Sequence, residues 1–169
     1  MLDKKIKTLE QIEKIVGSLR EENPLTKIVT TNGCFDLVHS AHVHTFERAK
    51  SFGDVLIVGL NSDKSVRAYK SPERPIVSQQ QRSEMLAGLE SVDYVVIFEE
   101  TDPRNLLEII KPDFHVKSVS GFKASPGFID GVERSTVERN GGQVKLIEDI
   151  NGVSTTDIIK KIKNLSNDF

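Results

Sequence analysis

Only one cysteine, Cys34, occurs in the 169-residue sequence, so no disulfide forms within the chain and a reducing, cytoplasmic setting is expected. Neither sign of charge dominates. The 23 lysines and arginines against 25 aspartates and glutamates leave a net charge of −2, which argues against a general nucleic-acid binder, since such proteins are usually basic. Long apolar runs are missing too. None reaches the length that spans a bilayer, and the start, Met1-Leu2-Asp3-Lys4-Lys5-Ile6-Lys7, lacks the apolar core of a signal peptide. There is no internal repeat and no low-complexity tract. These absences predict a soluble protein with neither nucleic acid nor membrane as partner, and the length suits one domain with a sizeable core.

What is present alternates between two periods. Thr8 reads as the N-cap of a leading helix with Leu9, Ile12, Ile15, Val16 and Leu19 on one face, stopped by Asn23-Pro24. Five strands are predicted, over 27–31, 55–60, 94–98, 114–117 and 144–147. The second, Val55-Leu56-Ile57-Val58-Gly59-Leu60, is continuously apolar, as a central parallel strand covered on both faces should be. Helices are expected at 43–52, after Ser78 with Met85, Leu86 and Leu89 inward, and around Leu106, Leu107, Ile109 and Ile110. Another is expected at 132–140, ended by Asn140-Gly141-Gly142. Ser154 reads as the cap of a last helix with Ile158, Ile159, Ile162 and Leu165 on its buried side. Residues 70–76 and 121–131 read as loops. Strands alternating with helices predict an α/β fold with a five-stranded parallel sheet and helices on both faces. Ligands then bind beyond the carboxyl ends of the strands.

The most informative stretch lies at such an end. Thr31-Asn32-Gly33-Cys34-Phe35-Asp36-Leu37-Val38-His39-Ser40-Ala41-His42 joins the first predicted strand to the helix of Val43, Phe46 and Ala49. A strand, a tight turn and a helix N-terminus form an anion site, because free N–H groups and the positive dipole end point outward. A nucleotide polyphosphate is the expected occupant. Asn32, Gly33, Cys34, Phe35, Asp36 and Ala41 would line it, and His39 and His42 would supply N–H donors. A structural or metal-ligand role is the alternative for the histidine pair. A third histidine, His44, projects about 200° from His42 around a helix, so the two do not easily share one ion, and a surface position is expected for it. Cys34 reads as a small turn residue rather than a nucleophile.

The run 31–42, with Leu56-Ile57-Val58-Gly59-Leu60-Asn61-Ser62-Asp63, Arg74-Pro75-Ile76 and Val153-Ser154-Thr155-Thr156, resembles the cytidylyltransferase-type nucleotidyltransferases with an H-x-G-H motif. Within them the likeness is closest to the heptose 1-phosphate adenylyltransferases, and it spans roughly residues 8 to 163. The resemblance implies one Rossmann-like three-layer domain, with 1–26 as a leading helix and 27–163 as the core. It also implies a homodimer, Mg²⁺ arriving with the triphosphate and no resident metal. Arg82, which by itself reads equally as a solvated helix residue, matches an arginine facing the nucleotide. Ser154, Thr155 and Thr156, a helix cap in any protein, match a segment that meets the triphosphate.

The chemistry of that class suits these residues. A phosphate oxygen of the acceptor attacks the α-phosphorus of a nucleoside triphosphate and pyrophosphate leaves. The acceptor's second ionisation lies near pH 6, so the nucleophile is already an anion and needs no general base. Positioning and positive groups are what it needs. His39, His42 and Lys70 are the expected catalytic set, and Arg67 or Arg74 would close over the phosphates beside Lys70. Asp63 would orient ligand hydroxyls or Mg²⁺, or else cap the next helix; Lys117 would meet the acceptor. Two positions depart from the family pattern. Its H-x-G-H glycine is Ala41, and a segment that carries an aspartate in the family reads Lys117-Ser118-Val119-Ser120-Gly121-Phe122. The lost carboxylate predicts an acceptor specificity that has moved away from heptose 1-phosphate. Three readings stand at this point: an ATP-dependent heptose 1-phosphate adenylyltransferase, a CTP-dependent enzyme for glycerol 3-phosphate or another small phosphate or phosphonate, and a nucleotide-binding protein without turnover.

Overall fold

The computed structural model describes residues 4–119, 129–148 and 154–165. Most of the expected 121–131 loop, Ser120 and Val153 therefore lie outside the described residues. The elements run β1 (Ile6–Lys7), α1 (Leu9–Glu22), β2 (Ile28–Gly33), α2 (Ser40–Lys50), β3 (Val55–Asn61), α3 (Asp63–Tyr69) and α4 (Gln79–Ala87). They continue with β4 (Tyr94–Phe98), α5 (Arg104–Ile110), β5 (Phe114–Ser118), a π turn (Ile129–Glu133) leading into α6 (Arg134–Arg139), β6 (Gln143–Ile147) and α7 (Thr155–Leu165).

The strands form one parallel sheet in the order β1-β4-β3-β2-β5-β6. It has six strands where five were predicted. The extra one, β1, pairs only Ile6 with Val95 and Lys7 with Val96. Two residues cannot display an alternating pattern, and the strand is held from outside it: Lys5 Nζ donates to the carbonyls of Leu89 (3.0 Å) and Val92 (2.7 Å).

Because side chains alternate across a strand, β3 feeds two cores at once. Leu56, Val58 and Leu60 pack with Phe46 and Ala49 of α2 and Leu86 of α4 on one face. Ile57 packs with Ile12 and Val16 of α1 and with Leu106 and Ile110 of α5 on the other. Helices therefore cover both faces, and α1 is part of the core. Each buried valine, leucine, isoleucine or phenylalanine among them contributes about 1.5–3 kcal/mol. Thr8 caps α1 as expected, accepting from Gln11 N–H (3.2 Å) while the Gln11 side chain accepts from Thr8 N–H (3.0 Å), and Asn23 ends it. After α6 the chain reverses through Gly141 at φ +83°, a conformation that glycine adopts without strain.

Three sequence expectations are corrected. Helix α2 begins at Ser40, not Val43, because His39 is already the extended residue that caps it. Met85 is 44% exposed although Leu86 is buried. The apolar stripe of α7 is not buried: Ile158 and Ile159 are half-covered, while Ile162 and Leu165 are 57% and 52% exposed. Periodicity finds an apolar face, but whether another element covers that face is a tertiary matter.

Chain order reverses between β2 and β5. β3 and β4 lie to one side of that line, β6 to the other. Such a switch point leaves a crevice at the carboxyl ends of the two strands. Asn32 and Gly33 end β2 there, and Lys117 and Ser118 end β5.

Candidate active site

The turn after β2 is built around an aromatic ring. Its left-handed residue is Phe35, at φ +45°, rather than the glycine. Gly33 makes room for the ring, since a Cβ there would stand 3.0 Å from Phe35 Cζ. The ring is buried against Phe46 (centroids 5.0 Å apart) and the edge of His42 (5.3 Å). Burying it offsets the strain of a left-handed non-glycine residue, about 1–2 kcal/mol. His39 then caps α2, and its carbonyl accepts from His42 N–H (2.9 Å) and Val43 N–H (3.2 Å). Among the described residues the N–H groups of Ser40 and Ala41 meet no backbone carbonyl, so the first turn of α2 is open to an anion.

The two histidines stack, with ring centroids 3.9 Å apart and planes 25° from parallel. His39 N–H points to His42 Nδ1 at 3.4 Å, which makes Nδ1 the acceptor and leaves the proton on Nε2. His39 Nδ1 is buried without a partner among the described residues. Burial lowers the pKa of His39. Burial, then the neighbouring His39 and then Lys70 lower that of His42 to about 4. Both rings are therefore neutral donors at pH 7. In an NMR pH titration the His42 ring proton should move near pH 4 instead of 6.5. Folding stability should also fall as pH drops from 6.5 towards 4, because the unfolded chain takes up a proton that native His42 refuses. A titration at 6.5 would contradict the buried, stacked arrangement.

Several residues expected to meet the ligand make internal ties. Asp36 is buried; its Oδ1 accepts from Ile76 N–H (2.8 Å) and Val77 N–H (2.9 Å), and its Oδ2 pairs with Arg74 Nε (2.8 Å). Asp36 and Arg74 thus anchor the far end of the 70–76 loop, while residues 67–69 belong to α3. Arg82 is not a solvated helix residue: it is fully buried. Its Nε donates to Val77 O (2.9 Å), Nη1 to Cys34 O (2.5 Å) and Asn61 O (2.9 Å), and Nη2 to Asp63 Oδ1 (2.7 Å). Asp63 is used by that arginine, and the cap of α3 is Ser62, which accepts from Ser65 N–H (3.1 Å). Cys34 shares a hydrogen bond with the hydroxyl of Tyr69. Among the described residues no three His, Cys, Asp or Glu side chains group to hold a metal, and Asp36 and Asp63 are occupied by arginines.

Other expected residues are placed around the turn. Ser154 caps α7, accepting from Asp157 N–H (3.1 Å) and donating to Asp157 Oδ2 (2.7 Å). Thr155 Oγ1 donates weakly to Leu37 O (3.4 Å), which brings this helix start to the turn; Thr156 is exposed. Lys70 is exposed at the end of α3, with its ammonium 5.9 Å from the Tyr69 ring and near enough to depress the His42 pKa. Arg67 is exposed on α3, and His44 is half-buried on α2.

Lys117 is brought to the turn from β5. Its Nζ donates to Asn32 Oδ1 (2.7 Å) and, more distantly, to Asn32 O (3.2 Å). Behind it lie residues that the sequence did not single out. Glu133 Oε1 stands 3.3 Å from Lys117 Nζ and Glu133 Oε2 3.4 Å from His115 Nε2, while His115 Nδ1 is 2.8 Å from Thr30 Oγ1. Burial pushes the Glu133 carboxyl up, but Lys117 and His115 outweigh it and hold the group near 2. Burial lowers the His115 pKa despite Glu133. The one available signal was the i, i+2 pair His115 and Lys117 on a strand expected to be apolar.

The comparisons agree with this geometry. Residues 30–161 match the family model described as cytidylyltransferase-like. Among curated relatives, proteins named bifunctional protein HldE are 42% identical in Geobacter sulfurreducens, 45% in Geotalea uraniireducens and 46% in Aliarcobacter butzleri. Those alignments cover 95%, 95% and 94% of this chain but 31% of each relative, so the chain spans about a third of their length. Among solved structures, a lipopolysaccharide core biosynthesis protein from Thermoplasma volcanium matches with TM-score 0.61 and 23% identity, over 76% of this chain and 99% of that one. A pantoate-beta-alanine ligase from Francisella tularensis, complexed with beta-gamma ATP and beta-alanine, matches with TM-score 0.60 and 17% identity, over 94% and 76%. These two likenesses show the Rossmann-like fold alone. No helix among the described residues is long and apolar enough to cross a membrane. With the match over residues 30–161 and a histidine-capped anion turn at the switch point of a parallel sheet, the chain belongs to the cytidylyltransferase-like family.

Proposed function

We propose that this chain transfers the adenylyl group of ATP to a heptose 1-phosphate and releases pyrophosphate. The observation that carries the reading is the stacked, neutral pair His39 and His42 at the open N-terminus of α2, beside the end of β2. An oxygen of the acceptor phosphate forms the new bond to the α-phosphorus, and the bond from that phosphorus to the leaving pyrophosphate breaks. The nucleophile is an anion at pH 7, so no residue removes a proton. His42 Nε2–H, the N–H groups of Ser40 and Ala41, and the ammonium of Lys70 are the donors that meet charge on the transferred and leaving phosphates. Neutral imidazoles supply direction without trapping the triphosphate by charge. Mg²⁺ would enter as the triphosphate complex, with phosphate oxygens rather than the aspartates as its ligands. The family resemblance adds a cytoplasmic homodimer that makes a glycan precursor.

A second reading, a CTP-dependent enzyme for glycerol 3-phosphate or a related small phosphate, is favoured by one observation. Ser118 and Val119 follow Lys117 where the resembled family carries its acceptor-side aspartate. Pyrophosphate release measured for ATP and CTP against heptose 1-phosphate, glycerol 3-phosphate and a phosphonate decides between them. Release with ATP is expected, with heptose 1-phosphate accepted but not exclusively, because the segment after Lys117 lacks the family's carboxylate. Preference for CTP with the polyol phosphate would replace the first reading by the second. Tight nucleotide binding with no release from any pair would leave a binding protein.

A further inference from the structure

A parallel strand covered on both faces is expected to carry apolar residues. β5 instead puts His115 and Lys117 on the same face, two residues apart, and both are buried. One carboxylate serves both. Glu133 reaches in from the π turn, with Oε2 towards His115 Nε2 (3.4 Å) and Oε1 towards Lys117 Nζ (3.3 Å). His115 Nδ1 shares a hydrogen bond with the Thr30 hydroxyl (2.8 Å), and its Nε2 lies 3.4 Å from Glu133 Oε2, so the imidazole packs against one side of the carboxylate. The chain of contacts then runs from Thr30 in β2 through β5 and the π turn and back to Asn32, two residues further along β2.

Buried ion pairs contribute little net stability, because desolvation offsets their attraction. This one ends on an ammonium held at the mouth of the switch point. We propose that Glu133 is a positioning residue: packed against His115, it fixes the Lys117 ammonium on Asn32, where that ammonium meets an anionic oxygen of the acceptor, and its negative charge keeps the anion from being held too tightly before reaction. The identity of the acceptor rests on the function proposed above; the arrangement of charges does not. An ammonium without the carboxylate would bind the incoming anion more strongly in the ground state, yet would be free to leave its place in the transition state. Only interactions stronger in the transition state raise the rate.

Glu133→Gln keeps the shape and removes the charge. Calorimetry with inorganic phosphate and with pyrophosphate should show binding about tenfold tighter than in the wild type. With the acceptor, KM should fall while kcat drops roughly 10–100-fold, the scale of a misplaced group. A purely structural role would not drive KM and kcat down together. Adding Lys117→Met should abolish the tighter binding, and the double variant should turn over no more slowly than Lys117→Met alone. Glu133→Asp keeps the charge on a shorter arm. It should bind phosphate as the wild type does, with kcat about tenfold lower, and this arm decides the matter where the glutamine variant does not fold. Unchanged phosphate affinity in Glu133→Gln, an unchanged kcat in Glu133→Asp, or effects of Glu133 and Lys117 that multiply would each overturn the proposal. If the wild type turns over no acceptor, the functional reading fails, and the calorimetric comparison still decides the role of Glu133.

Discussion

Replacing His42 by alanine should leave a folded protein whose turnover at saturating substrates is lower by about 10²–10³, and His39→Ala should do the same. That range is what the loss of one preorganised donor costs when it faces charge developing on a phosphate. His42 is held for the purpose. Its Nδ1 receives His39 N–H, its edge meets the Phe35 ring, and its face lies 3.9 Å from His39, so Nε2–H has one direction. Burial keeps the ring neutral, which means the donor needs no change of protonation at physiological pH. His42→Asn, which retains an N–H on a shorter side chain, should fall between wild type and alanine. Steady-state kinetics together with a thermal melt checks all three. Near-wild-type turnover in His42→Ala would remove the assigned role, and a collapse of the melt without a kinetic defect in the surviving protein would make the pair structural.

Arg82→Met should destabilise the protein by about 3–5 kcal/mol, the usual consequence of breaking a buried charge pair from one side. In a chain of this length that corresponds to a fall in Tm of roughly 6–20 °C. The guanidinium is fully buried and spans four acceptors: Val77 O ahead of α4, Cys34 O in the turn, Asn61 O at the end of β3, and the Asp63 carboxylate opening α3. Its loss strands three carbonyls and a carboxylate. Arg82→Lys should rescue little, since a compact ammonium cannot reproduce a planar fork. The defect should persist without nucleotide, which separates it from a ligand contact. If Arg82→Lys melted like the wild type and lost only nucleotide affinity, the buried clamp would be the wrong account.

The sequence alone determined the architecture, because its signals are local. Val55 to Leu60 reads as a doubly covered strand from six neighbouring apolar residues, and Thr8, Ser78 and Ser154 mark helix starts that the structure bears out through their hydroxyls. The turn from Asn32 to His42 was legible by the same kind of evidence, a strand ending where a helix begins. Burial decided what local pattern could not. Arg82 and Asp63 look like candidate ligand contacts in the sequence, and only the packing of α4 against β3 and the turn shows that they hold each other. Phe35 takes a left-handed conformation that no sequence pattern announces, because the ring has a pocket between Phe46 and His42. Most telling is Lys117. The sequence beside it lacks a carboxylate, and the fold returns one in Glu133, sixteen residues further on. A buried ammonium requires a nearby counter-charge in space, not in sequence, and a chain that leaves β5 and comes back through a π turn supplies it from a distance that no local pattern records.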